Sequence, residues 1–218
     1  MGVAGGPQTD RSDDVTSSGT GTPEHSPPPT AVGSASAEPP RYRIPNSEEI
    51  CATAQTTGIA VKKAQKETDS QYQAGCRIDT GGDTQIASAT VRFEVSRLAA
   101  QTFQTSKDND WNKGFAFSGP ARDKAVVQQG GYAKLGRDYD DAYYAHFPDV
   151  EAAGAKHSST KVVILRGNAV LSFSAGGSEW HGAKPKAVKE LSPIGPEFGT
   201  DLIDKMADEM LALLKPQQ

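Results

Sequence analysis

The chain has 218 residues, with 23 Lys and Arg against 27 Asp and Glu and a formal net charge of −4. No part of it carries the basic excess that a phosphate backbone demands, which argues against nucleic acid as a partner. No stretch approaches the ~18–20 apolar residues of a membrane-spanning helix, and the N-terminus has no charged start followed by a hydrophobic run. Membrane attachment is therefore expected only through an anchor outside these residues.

Met1 to Pro45 contains 6 Gly, 8 Pro, 6 Ser and 5 Thr, with Tyr42 as its one aromatic residue. Such a stretch has too little apolar surface to offset roughly 1–2 kcal/mol of backbone entropy per ordered residue. Residues 1–45 are expected to be a disordered tether, partly extended at Pro27-Pro28-Pro29 and Pro39-Pro40. Residues 46–218 then form a single domain of ordinary size.

The first helix is expected at Asn46, where Asn-Ser-Glu-Glu offers an N-cap with Glu49 three positions on. Ile50, Cys51 and Ala54 give it a short apolar face, and Gly58 ends it. Residues 59–73 read equally as strand or loop. A hairpin follows, with Gly75-Cys76-Arg77-Ile78 as one arm, Thr80 to Asp83 as the turn, and Ile86 to Ser96 as the other arm. In that second arm Ala89, Val91, Phe93 and Val95 alternate with Thr90, Arg92 and Glu94, the period of a half-buried strand. Leu98 to Thr105 reads as a short helix or extended turn. Residues 106–137 carry little pattern, with Trp111, Phe115 and Phe117 as expected anchors. Tyr139 to Phe147 reads as an edge strand.

Val162 to Leu165 and Ala169 to Phe173 flank Gly167-Asn168, which predicts a tight hairpin. Ala175-Gly176-Gly177-Ser178 reads as a loop. The chain closes on a helix from about Thr200 to Leu214 with Leu202, Ile203, Met206, Met210, Leu213 and Leu214 in one stripe. The sum is an α+β domain, an antiparallel sheet with a capping N-terminal helix and an amphipathic C-terminal helix packed on it.

Cys51 and Cys76 are the only cysteines. With one on a helix and the other on a strand, a structural disulfide between them is expected, and two buried free thiols are the alternative. A metal site needs further ligands at a spacing that is absent around them.

The order of these features resembles a family of actinobacterial extracytoplasmic lipoproteins and sensor-type domains of unknown function. The resemblance rests on a Cys-bearing helix, a second Cys entering a strand, Leu135-Gly136 before an aromatic strand, the Val162–Phe173 hairpin with its Arg166-Gly167-Asn168 turn, and the final amphipathic helix. It implies a cell-envelope location and a compact fold akin to photosystem accessory and nuclear-import-factor folds. It implies no catalytic residues. The chain departs from that family in having Arg77 where a Trp often follows the second Cys, and in lacking a lipid-accepting Cys near its start.

Asp138, Asp140, Asp141 and His146 form the densest set of possible metal or ligand contacts, although they lack the glycine and terminal Glu of an EF-hand loop. The glycine pairs match neither a P-loop nor a dinucleotide fingerprint, and no Ser sits in a nucleophile elbow. Trp111, Tyr132, Trp180 and the Tyr139/Tyr143/Tyr144 group are candidates for an apolar pocket. The leading expectation is a non-enzymatic extracytoplasmic domain on a tether, monomeric or weakly dimeric and without a cofactor, that binds an envelope protein or small ligand. The alternatives are an envelope-polymer hydrolase using Asp140 or Asp141 with His146, and a cytoplasmic interaction protein.

Overall fold

The computed structural model describes residues 41–116, 126–129, 135–152, 155–183, 186–187 and 190–217. Residues 1–40 of the tether expected over 1–45, Phe117, Tyr132 and the side chain of Phe115 lie outside this description.

In chain order the elements are β1 (Tyr42–Arg43), α1 (Ser47–Thr56), β2 (Lys63–Asp69), β3 (Gln73–Asp79), β4 (Gln85–Val95), α2 (Ala99–Ala116), β5 (Val126–Gln129), β6 (Asp141–Ala152), β7 (Ala155–Arg166), β8 (Ala169–Glu179), β9 (Ser192–Pro193), α3 (Pro196–Ala212) and β10 (Lys215–Pro216). One antiparallel sheet runs β2-β3-β4-β8-β7-β6-β5, with β9 paired to the end of β8. The domain is α+β, as the pattern of the sequence implies.

Period two sorts the side chains of each strand onto two faces. Ala74, Cys76 and Ile78 of β3, Ala89, Val91 and Phe93 of β4, Val162 and Ile164 of β7, and Leu171 and Phe173 of β8 share one buried core with α1 and α3. Val163 of β7, Tyr143, Ala145 and Phe147 of β6 and Val170 of β8 form a second core on the opposite face, under Ala99 and Phe103 of α2. The central strands β6, β7 and β8 supply side chains to both cores.

The capping box at the start of α1 is closed: Asn46 Oδ1 accepts from Glu49 N at 2.9 Å, and Glu49 Oε2 accepts from Asn46 N at 3.0 Å. Ile50, Cys51 and Ala54 are buried beneath it. Cys51 and Cys76 are joined in a disulfide with their Cα atoms 5.3 Å apart, which pins α1 to β3. Gly58, beyond the helix, has φ +75°, a left-handed conformation that a side chain resists. In the Val162–Phe173 hairpin Gly167 likewise has φ +58°, and its N–H donates to Asp140 Oδ2 at 2.6 Å. The segment at Leu135-Gly136 docks on α3, where Gly136 N donates to Asp208 Oδ1 at 2.9 Å.

Several expectations need correction. The ambiguous stretch 59–73 contains β2, an exposed edge strand whose side chains show no apolar alternation. The short helix expected after Leu98 is an 18-residue helix running through the stretch that carried no pattern. Trp111, expected as an anchor, is 39% exposed on that helix. The aromatic strand β6 is internal, because β5 pairs along its outer side. Ala175 to Ser178 is strand, not loop. A Cβ on Gly176 would collide with the carbonyl oxygen of Ser158, and one on Gly177 with that of Ile86, so glycine here serves close strand approach. Residues 41–45, grouped with the tether by composition, belong to the folded part: Tyr42 and Ile44 are buried, and β1 pairs with β10.

Candidate functional site

The face of the sheet that carries α2 is only half covered. The helix lies over β5, β6, β7 and the start of β8, while the stretch formed by β2, β3, β4 and the rest of β8 bears polar side chains. The registers place these in rows. Arg77 pairs with Thr90, Thr90 with Ser174, and Ser174 with Lys161. One row on, Gly75 pairs with Arg92 and Arg92 with Ser172. The result is a trough of about 510 Å³ with α2 as one wall. Its floor is Thr90, Ser159, Ser172 and Ser174, and its sides carry Glu67, Arg92, Glu94, Asp110, Lys113 and Lys161. A shallower hollow of about 890 Å³ continues along the same face past Ser88, Arg77 and His157, sharing Thr90, Ser159 and Ser174.

Among the described residues, the hydroxyls of Thr90, Ser159, Ser172 and Ser174 make no side-chain hydrogen bond within the protein. The walls are braced. Arg92 donates to Glu67 at 3.0 Å. Lys113 lies 4.5 Å from the centre of the Phe147 ring, a cation–π contact.

The wall beneath α2 holds a closed ring of hydrogen bonds. Lys161 Nζ donates to Asp110 Oδ2 at 2.6 Å and to Ser106 Oγ at 3.0 Å. Tyr143 OH donates to Asp110 Oδ2 at 2.6 Å. Its one proton being used there, the 2.7 Å contact between Ser106 Oγ and Tyr143 OH runs from serine to tyrosine. Burial, and then the bond to Asp110, push the Tyr143 hydroxyl well above its ordinary pKa, so it stays protonated. A Ser, a Lys and a Tyr in contact are also the parts of a serine nucleophile with its base. Here the Ser106 oxygen receives a proton from Lys161 and gives its own to Tyr143, so no base faces it. The ring fastens α2 to β6 and β7, and Lys107, donating to Asp141 Oδ2 at 3.2 Å, is a second clasp.

No family model, curated protein or solved structure matches the chain.

The residues singled out from sequence lie elsewhere and apart. Asp138 and Asp140 are exposed, and Asp140 caps the β7–β8 turn through Gly167 N. Asp141 is taken up by Lys107 and by its own neighbour Ala142 N at 2.7 Å. His146 is five positions further along an extended strand, about 17 Å away at ~3.4 Å per residue. It is buried under α3 with Nδ1 3.0 Å from Thr160 Oγ1. Burial pushes its pKa down, and Glu197 pulls the other way. Among the described residues no three His, Cys, Asp or Glu side chains gather as a metal site would require. Tyr143 and Trp180 are buried in the fold, and Tyr139 and Tyr144 are half-buried beside the larger core. They line neither the trough nor the hollow beside it.

Ser106, Asp110 and Lys161 were not legible as a group. The one signal was helical spacing, with Ala99, Phe103, Ser106, Lys107 and Asp110 three or four apart, and its lower half is polar where an inward face is usually apolar.

Proposed function

We propose that the chain is a non-enzymatic binding domain of an oxidising, extracytoplasmic compartment, resident in the cell envelope, and that a small polar ligand occupies the trough beside α2. The observation that carries this reading is the row of hydroxyls on the trough floor, unpaired by the protein and walled by charged side chains. A volume of about 510 Å³ is suited to a small molecule. The polar floor favours a ligand that is hydroxylated or zwitterionic, because an apolar one would leave those groups unpaired. The Cys51–Cys76 disulfide supports the compartment, since such bonds persist where thiols are not kept reduced. The order of elements, which resembles the extracytoplasmic lipoprotein family, supports the envelope.

Backbone amide NMR tests the reading. Titration with a panel of sugars, amino acids and inorganic phosphate should shift amides of β4 and β8 around Thr90, Ser172 and Ser174. Replacing Ser172 and Ser174 by Leu fills the trough floor on the face away from α1 and α3, and should abolish those shifts while the protein stays folded. Shifts that map to another surface, or that survive both substitutions, would remove the trough as the site.

A further inference from the structure

At the end of the sheet opposite the β3–β4 turn, four separate pieces of chain converge: β1, the β2–β3 turn, the β4–α2 connection and the β7–β8 turn. They surround an open depression of about 990 Å³ whose lining, among the described residues, includes Arg41, Arg43 and Arg97 with Asp69 as the one carboxylate. Two exposed apolar side chains stand at this end, Tyr72 (62% exposed) on the β2–β3 turn and Leu98 (61%) next to Arg97. Their positions are set by backbone bonds: Val95 N donates to the Tyr72 carbonyl at 2.9 Å, and Leu98 N to Ser96 Oγ at 3.0 Å.

Arg43 lies directly across the β1–β10 ribbon from Lys215. Like charges in that position repel, yet among the described residues neither has an ion-pair partner, nor does Arg97. The N-terminus of α2 begins at Ala99 with no acidic residue in its first turn, and the helix dipole adds to the positive potential at this end. A chain of net charge −4 therefore carries a positive end tipped by a tyrosine and a leucine.

We propose that this end docks on an anionic lipid surface, with Arg43, Arg97 and Lys215 meeting headgroups and Tyr72 and Leu98 entering the interface. Basic side chains draw a protein to an acidic bilayer, and apolar tips then add buried area at headgroup depth. An acidic polypeptide would satisfy the cations equally well but gives no reason for two apolar residues on adjacent loop apices to stand out together.

The test is co-sedimentation of the full chain with vesicles of phosphatidylcholine alone and of phosphatidylcholine with phosphatidylglycerol, at low salt and at about 0.5 M, where charges are screened within a few ångströms. Binding to the anionic vesicles at low salt, absent from the neutral ones and weakened by salt, is expected. Arg43→Gln, Arg97→Gln and Lys215→Gln should each weaken it roughly fivefold, and Leu98→Ser should weaken it further. Lys62→Gln and Arg77→Gln, at the other end of β3, should leave it unchanged. Failure of the unaltered chain to sediment with anionic vesicles at low salt overturns the proposal. So does equal weakening by the two distant substitutions. Binding to polyglutamate as strong as to vesicles, with no effect of Leu98→Ser, would point to an acidic polypeptide and overturn the lipid surface.

Discussion

Cys51 and Cys76 close a loop of 25 residues between the first helix and the second long strand. In the chain-entropy account a loop of that length contributes roughly 3–4 kcal/mol, by limiting the unfolded chain. Replacing both by Ser should lower the melting temperature and the denaturant midpoint by an amount of that order; an unchanged melt would leave the bond without a stabilising role. His146 makes a second residue-level prediction. Burial lowers its pKa from the ordinary 6.5, against a smaller opposing pull from Glu197. The unfolded chain takes up this proton first, so its contribution is complete above about 6.5 and is lost as pH falls through the lower folded value. A melting curve series from about pH 7.5 down to 5 should fall in that window. The same series on His146→Gln should lose that part of the slope, and identical slopes would exclude the imidazole as the cause.

Helix α2 shows how an element can be held to a sheet by charge where its sequence offers little apolar surface. Phe103 packs edge-on to Tyr143 with ring centres 5.5 Å apart, and below it the contact passes to Ser106, Lys107 and Asp110. Asp110 accepts hydrogen bonds from both Lys161 and Tyr143, and its side chain is 13% exposed against 26% for Lys161. Asp110→Ala therefore removes the acceptor of the Tyr143 hydroxyl and the counter-charge of Lys161, which keeps only its bond to Ser106, and should cost roughly 2–3 kcal/mol, toward the lower side of buried-pair losses because Lys161 is partly wet. Lys161→Met should cost less, since Asp110 keeps the tyrosine proton. A double-mutant cycle by chemical denaturation measures the coupling, and additive losses would mean that the ring is not one unit.

The same contrast explains what was readable. The Asn46 cap is a motif complete within four residues, the Val162–Phe173 hairpin is two apolar runs about a Gly167-Asn168 turn, and the Leu202–Met210 stripe repeats at the helical period because it faces the larger core. Helix α2 faces the sheet through polar groups, β2 lies exposed at an edge, and Gly176 and Gly177 have no side chains to show a period. Of the trough, only the alternation of Thr90, Arg92 and Glu94 was visible. That Ser172, Ser174 and Lys161 stand beside them depends on β4 pairing with β8, a contact between residues about eighty positions apart, which no local pattern encodes.

At the scale of the molecule, the two ends of the described chain meet in a two-stranded ribbon of their own beside the β7–β8 turn. Tyr42 N donates to Asn168 Oδ1 in the β7–β8 turn, the Asn168 side chain returns a bond to Tyr42 O at 3.3 Å, and Arg166 lies over the Tyr42 ring at 5.0 Å. Gln217 N closes the ribbon on Arg41 O at 2.8 Å. Tyr42 and Ile44 thus seal the larger core beside Ile50 and Leu214, although their neighbours in sequence are proline, serine and glycine. Composition places the start of the domain at Asn46, whereas packing places it no later than Arg41. Two truncated chains separate these boundaries, one beginning at Arg41 and the other at Asn46. They differ only by residues 41–45, so the second loses the burial of Tyr42 and Ile44, about 3–6 kcal/mol at ~1.5–3 kcal/mol per large apolar side chain. It also frees β10 from its partner strand. Thermal melts of the two should be well separated, with the Asn46 chain lower; coincident melts would mean that β1 and the core residues following it contribute nothing to the closure of the sheet.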